Sequence, residues 1–302
     1  MLLDTAAMYF RAFHGVPDTL RAPSGQPVNA VRGLLDAIAR LVTDFRPSNL
    51  VACWDDDWRP RWRVELIPSY KAHRVAVPVP GGSDIEEVPE SLGPQVPVIR
   101  EVLDALGIPV VGRAGYEADD VIGTLASTSS MPVDVVTGDR DLFQLIDDEA
   151  AVRVVYTGRG MSRLELLTDS ALRARYGVSA RQYADFAALR GDPSDGLPGI
   201  PGIGEKTAAG LLGEHGSLDG IIAAADDPAA PMSATMRARI IGGAEYLRVA
   251  PAVVAVVRDL DLPEVDSEIQ PLDAERLAAF EALAATWGLG ESARRVLTAI
   301  GN

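Results

Sequence analysis

Residues 133–141 read VDVVTGDRD, an apolar run that ends in a glycine and two aspartates. A short apolar run closed by a turn signal reads as a strand buried on both faces, the kind found in parallel sheets. Two other runs share the design. Leu2-Leu3 leads into Asp4, and Leu50-Val51-Ala52-Cys53-Trp54 leads into Asp55. Helical stretches separate them: Val28 to Phe45 carries an apolar stripe at Val31, Leu34, Leu35, Ile38, Leu41 and Val42, and Val96–Leu106 and Tyr116–Ser127 read the same way. Strands alternating with helices predict an α/β fold with a mainly parallel central sheet. Such sheets bind ligands beyond the carboxyl ends of their strands, so Asp4, Asp55 and Asp139 are expected on one edge. The first run is short, which leaves open a start upstream of Met1.

Two regions break this pattern. Residues 75–97 hold five prolines and three glycines, with Asp84, Glu86, Glu87 and Glu90 and no basic residue. Proline and glycine oppose a long helix, so an irregular acidic loop is expected, its acids lying on a solvated face or holding an accessory cation. From about Asp185 the chain turns helical, over 184–189, 206–212, 236–250 and 274–300, with 249–266 as one more strand or an extended connector. The expected division is an α/β core over 1–184 and a helical module over 185–302.

A chain of 302 residues is one large domain or two small ones. No apolar run approaches the roughly 18 residues a membrane span needs, and MLLDTAAMYF lacks the basic start of a signal peptide. One cysteine, Cys53, excludes a disulfide framework, and a reducing cytoplasm is expected. The net charge of −15 argues against broad electrostatic binding to nucleic acid, but not against an enzyme that gathers carboxylates around metal ions. Of 28 basic residues only Lys71 and Lys206 are lysines.

Five constellations carry chemistry. Glu117-Ala118-Asp119-Asp120 opens a helix; acids there complement the dipole, yet three in four residues exceed that need. Thr137-Gly138-Asp139-Arg140-Asp141 joins a strand to a helix over 142–146, which needs only one capping aspartate. Gly191-Asp192-Pro193-Ser194-Asp195-Gly196 is turn chemistry that says little by itself. With Asp4 and Asp55 these segments supply nine carboxylates, a set unfavourable without counterions and suited to hard cations such as Mg²⁺ or Mn²⁺. His14, His73 and His215 show no ligand spacing. The fourth constellation is basic and aromatic: Arg59, Arg61 and Arg63, then Tyr70-Lys71-Ala72-His73-Arg74. It is either a solvated face or a clamp on a scissile phosphate, with Tyr70 offering a ring to a base. The fifth, PGIPGIGEKTA at 198–208, sets Gly199, Gly202 and Gly204 before a helix start with Lys206 and Thr207, a pattern that binds phosphate through exposed amides.

Together these segments resemble the bacterial 5′-nuclease family, which includes flap endonucleases and the N-terminal 5′-nuclease domain of DNA polymerase I. The carriers are LLDTAAMYFRAFHG, SYKAHR at 69–74, EADDVIGTLA at 117–126, TGDRDLFQL at 137–145 and GDPSDGLPGIPGIGEKTA at 191–208, in the family's order. The resemblance implies a PIN-like core with a helix-hairpin-helix module, and a stand-alone enzyme, since 302 residues leave no room for a polymerase. It implies a first metal site on Asp4, Asp55, Glu117 and Asp119, and a second on Asp120, Asp139, Asp141, Asp192 and Asp195, some through water. It implies phosphate contacts from Lys71 and Arg74, an aromatic at Tyr70, a basic residue at Arg11 and a K⁺ ion on the hairpin carbonyls. The implied partners are DNA with 5′ flaps, nicks or free 5′ ends, with a DNA polymerase and ligase as co-workers on the nucleoid; a monomer is expected. Gly196 stands where the family has Asn, a change expected to loosen a turn. Residues 75–97 replace a helical arch. The rival readings are a PIN-type ribonuclease, which lacks the second helical module, and a non-catalytic junction binder, which the intact carboxylates oppose.

Overall fold

The computed structural model describes all 302 residues. Its six-stranded sheet uses β1 (Leu2–Asp4), β2 (Val51–Trp54), β5 (Val110–Gly112), β6 (Val133–Thr137), β7 (Val152–Tyr156) and β8 (Glu165–Leu167); β3 (Val75–Val77) and β4 (Ile85–Glu86) form a separate hairpin. The sheet order is β5-β2-β1-β6-β7-β8, parallel throughout except for the antiparallel pair β7–β8. Successive strand residues point to opposite faces, which is why these runs are apolar without alternation. Leu2, Val51, Cys53, Val135 and Val154 enter one core, and Leu3, Ala52, Trp54, Val136 and Val155 enter the other.

Helices α1 (Thr5–Gly15), α2 (Asn29–Phe45), α3 (Arg61–Leu66), α4 (Gln95–Ala105), α5 (Ala118–Thr128) and α6 (Asp169–Tyr176) surround the sheet. The stripe on α2 packs with Ile99 of α4 in the core that contains Leu3, while Val121 and Ile122 of α5 pack in the core that contains Leu2. Residues 141–145 form a 3-10 turn rather than a regular helix. The later helices are α7 (Tyr183–Arg190), α8 (Glu205–His215), α9 (Leu218–Asp226), α10 (Ala234–Gly242), α11 (Ala244–Val254), α12 (Ala274–Thr286) and α13 (Gly290–Ile300). No helix is long and apolar enough to cross a membrane.

Three expectations need correction. Residues 75–97 are not wholly irregular: β3 and β4 pair within them, α4 begins at Gln95, and no helix lies between. Two of the acids there have basic partners outside the segment, Asp84 with the distant Arg59 and Glu86 with the adjoining Arg74. The 249–266 stretch is neither alternative throughout. It starts as the end of α11 and continues as an extended connector, tied to the start of β2 where Leu50 donates to Ser267 at 2.8 Å. Last, 185–302 is not one module, because α12 and α13 return to the α/β core. Phe280, Leu289, Ala293, Val296 and Ile300 are buried with Leu34, Ile38 and Leu41 of α2. An amphipathic helix needs an apolar partner, and α2 supplies it. The helical unit is therefore α7 to α11, and it shares one core with the sheet, where Phe186, Leu212, Ile221 and Leu247 are buried with Leu2, Val121 and Val135.

Candidate active site and nucleic-acid interface

The carboxyl ends of β1, β2 and β6 bring Asp4, Asp55 and Asp139 to one cleft of about 1140 Å³, which Glu117, Asp119, Arg11, Lys71 and Arg74 also line. Asp4 caps α1, its Oδ1 accepting from Ala7 N at 3.1 Å, while its Oδ2 accepts from Thr137 Oγ1 at 2.7 Å. The same Thr137 oxygen accepts from Asp139 N at 2.8 Å, so one hydroxyl sets two acids. Asp55 Oδ1 accepts from Ala118 N at 2.8 Å, and Asp139 Oδ1 from Asp141 N at 2.9 Å. Burial, reinforced by like-charged neighbours, pushes the Asp4 carboxyl up to about 7. Burial likewise pushes Asp55 and Asp195 to about 6 and Asp119 and Asp141 well above the usual carboxylate range. The buried Asp141 Oδ1 has no hydrogen-bond donor. The donor chemistry of these desolvated like charges suits hard cations, which bind through oxygen alone, though no three of the carboxylates converge closely enough to hold one ion between them.

The basic side differs from expectation. Asp120 does not face the cleft. It is fully buried and takes a two-pronged pair from Arg63, at 2.7 and 3.0 Å, while accepting from Val257 N at 2.9 Å. Arg63 also pairs with Glu117 and donates to Val253 O at 3.1 Å, so it is an internal strut and not a DNA contact. Tyr70 is no stacking platform either: its ring packs with Ile67, Ala187 and Val254, and its hydroxyl donates to Glu117 at 2.7 Å. Arg59 is engaged by Asp84 and by the Tyr70 carbonyl at 2.6 Å. Arg61 is exposed and pairs only with Glu65, at 2.9 Å. Lys71 pairs with Glu117; burial works against both charges, but their attraction outweighs it, so Lys71 is held protonated and Glu117 ionised. Lys71 has a left-handed backbone, φ 48°, uncommon for a residue with a side chain. The Arg11 guanidinium lies against Gly138, where a Cβ would meet its Nη2 at 3.3 Å.

The turn carrying Asp192 and Asp195 is locked onto Lys71, whose N–H donates to Asp195 O at 2.9 Å. Gly196 is needed here: at φ +70°, a Cβ would stand 2.1 Å from Ser69 O. That corrects the expectation of a merely loosened turn. Asp192 points its carboxylate to Ser194 and to Arg190 at 3.2 Å; these partners overcome its burial and hold it below the usual range. Helices α7 and α8 with the intervening turn make a helix-hairpin-helix. Gly199, at φ +63°, approaches the chain so closely that a Cβ would stand 2.4 Å from Gly191 N. Gly202 touches the Arg239 guanidinium, which donates to Gly202 O at 3.1 Å; this second cation was not legible in the motif. Gly204 precedes α8 with open space around it, and Lys206 is exposed on its first turn with Thr207 half-buried beside it. Tyr9 and Trp58 also line the cleft and were not foreseen, Glu86 was foreseen only as one of four loop acids, and Thr137 only as part of its motif. A hydroxyl closing a buried strand just before Gly138-Asp139 was the one available signal, for Thr137.

Comparison with known proteins bears on this geometry. Two family models match in tandem: "5′-3′ exonuclease, N-terminal resolvase-like domain" over residues 1–177 and "5′-3′ exonuclease, C-terminal SAM fold" over 178–275. A 5′-3′ exonuclease of Streptomyces coelicolor is 62% identical over 99% of both chains. One of Mycobacterium tuberculosis is 50% identical over 99% of this chain and 97% of its own. The DNA polymerase I of that organism is 38% identical over 92% of this chain, which spans 29% of the polymerase. Among solved structures, the T5 D15 protein co-crystallized with metal ions shares the fold at a TM-score of 0.62 with 17% identity, covering 99% and 98% of the two chains. The catalytic core of Rad2 in complex with a DNA substrate has a TM-score of 0.60 with 16% identity, covering 100% and 92%.

Proposed function

The chain belongs to the 5′-3′ exonuclease family, and we propose that it hydrolyses DNA near single-strand/duplex junctions with divalent cations held by the carboxylates of its cleft. The observation that carries this is the desolvated set of Asp4, Asp55, Glu117, Asp119 and Asp139 lining one cleft with Lys71, Arg74 and Arg11, with the donorless Asp141 oxygen buried beside Asp139 rather than on the cleft wall. Asp4, Asp55, Glu117 and Asp119 would hold one cation; Asp139, Asp141 and Asp195, with Asp192 behind them, would hold the other. Held by those carboxylates, Mg²⁺ or Mn²⁺ would supply Lewis-acid activation of water and charge stabilisation for phosphodiester hydrolysis. Lys71 sits beside Glu117 as a fixed ammonium that can meet charge developing on the scissile phosphate. Arg74 and Arg11 orient the strand entering the cleft. Thr137 keeps Asp4 and Asp139 aimed at the same space.

The remote hairpin of α7 and α8 would hold the duplex arm by backbone amides with Lys206 and Arg239, and carbonyls of its turn could hold K⁺. The reaction class fits gap and flap processing beside a DNA polymerase and ligase, on cytoplasmic DNA and by a single chain. The test is cleavage of a labelled 5′-flap duplex beside matched RNA. Activity on the DNA flap that EDTA abolishes and Mg²⁺ or Mn²⁺ restores is expected. Equal cleavage of the RNA would favour a ribonuclease, and tight binding without cleavage in either metal would leave only a junction binder.

A further inference from the structure

The hairpin of β3 and β4 reaches into the cleft, and its acids are placed in order. Asp84, just before β4, pairs with Arg59, and Glu86, within β4, pairs with Arg74. Asp84 has structural work: it accepts from Val79 N at 2.9 Å, and its carbonyl accepts from Trp58 Nε1 at 2.8 Å, which closes the hairpin tip. Glu86 has only Arg74. Both Nε, at 2.9 Å, and Nη2 of Arg74 converge on Glu86 Oε1, while the guanidinium lies 5.3 Å from the centre of the Trp58 ring. The register is fixed because Glu87 N donates to Arg74 O at 2.8 Å. Glu86 and Arg74 line the same cleft as the catalytic acids. A carboxylate there does nothing to attract DNA, yet its Oε1 offers the guanidinium an anionic oxygen acceptor, as a phosphate oxygen would.

We propose that Glu86 stands in for a substrate phosphate on Arg74 in the free protein, so that an incoming strand gains Arg74 only by displacing it. This rests on the reading of the cleft as a nuclease site, and makes Glu86 a residue that sets how readily a strand is admitted. The exchange is feasible because the pair is only partly buried, Arg74 being 37% and Glu86 16% exposed. The hairpin need not unfold; a side-chain rotation frees the guanidinium.

The test compares wild type, Glu86→Gln, Arg74→Gln and the double variant. Affinity for a labelled 5′-flap duplex is measured against salt, with Ca²⁺ replacing Mg²⁺ to slow turnover. Glu86→Gln should tighten binding by about two- to fivefold, the scale of a partly exposed ion pair. It should also steepen the slope of log affinity against log salt by about 0.7–0.9, one additional uncompensated phosphate contact. Both gains should vanish when Arg74 is already Gln. A gain that persists undiminished without Arg74 would mean simple removal of charge and would overturn the proposal. So would unchanged or weaker binding, which would make Glu86 a support for Arg74. A higher Mg²⁺ requirement at unchanged affinity would make Glu86 a cation ligand, again overturning it. Should Glu86→Gln fail to fold, Glu86→Asp, whose shorter reach weakens the pair, must shift affinity in the same direction. Wild-type protein with no affinity for flap DNA would remove the nuclease reading itself, which separates that failure from this one.

Discussion

Thr137 shows how much of the cleft rests on one hydroxyl. It donates to Asp4 and accepts from Asp139 N while fully buried, so no water replaces either bond. Thr137→Val keeps the shape and removes both. A lost buried hydrogen bond costs about 1–3 kcal/mol, and partners that orient metal ligands typically change metal affinity by about 10–100-fold. The variant should melt at lower temperature and need about 10-fold or more Mg²⁺ for half-maximal cleavage; an unchanged Mg²⁺ titration would remove Thr137 from its orienting role. Gly196 makes a second case. Asn tolerates its left-handed backbone, but a Cβ would collide with Ser69 O, and backbone does not yield as a side chain does. Gly196→Asn should destabilise by about 1–3 kcal/mol in denaturant unfolding. It should also lower cleavage, because the displaced turn at Ser69 carries Lys71. Stability equal to wild type would show that the turn relaxes freely.

Arg63 joins three elements that the sequence separates widely. It starts on α3, pairs with Glu117 and Asp120 at the head of α5, and donates to Val253 O at the end of α11. Removing one partner of a buried pair typically costs about 3–5 kcal/mol, since the remaining charges lose their neutralisation inside the protein. Arg63→Met should therefore reduce stability by roughly that amount, measured by urea unfolding, and free Glu117 from one of its holders; a loss below about 1 kcal/mol would mean that water enters and solvates the two acids. The position also explains what the sequence hid. The three runs ending in Asp4, Asp55 and Asp139 were readable because parallel strands buried on both faces are apolar without alternation, and the carboxyl edge follows from that. The Arg59–Arg63 run was not, because its partners Asp84, Glu117 and Asp120 lie 25, 54 and 57 residues away and only the fold brings them near. Tyr70 was misread for the same reason: an aromatic beside Lys71 fits base stacking until its ring is found packed on α7 and α11.

At the scale of the molecule, the chain leaves the α/β core at α7, builds the helical unit, and returns to it through α12 and α13. The two halves are tied where they meet: Gln144, three residues from Asp141, donates to Val254 O at 3.0 Å and accepts from Val256 N at 3.0 Å, and Thr124 of α5 donates to Val257 O at 3.4 Å. The two lysines fall on opposite sides of this junction. Lys71 is buried against Glu117 within the cleft, whereas Lys206 is exposed on the first turn of α8. A charge at the reacting centre acts where the transition state differs from bound substrate, and a remote charge binds both equally. Lys71→Ala should thus lower the saturated single-turnover rate by about 100-fold or more, on the scale of losing a preorganised electrostatic contact, with a smaller effect on affinity. Lys206→Ala should leave that rate near wild type, weaken duplex binding, and reduce the salt slope by about 0.9, the loss of one phosphate contact on B-form DNA. Circular dichroism melts separate this from misfolding, because Lys206 has no protein partner while Lys71 leaves Glu117 less neutralised. Equal losses of saturated rate in the two variants would show that the hairpin positions the scissile bond as well as the duplex, and that the junction through Gln144 and Thr124 carries strain between the halves.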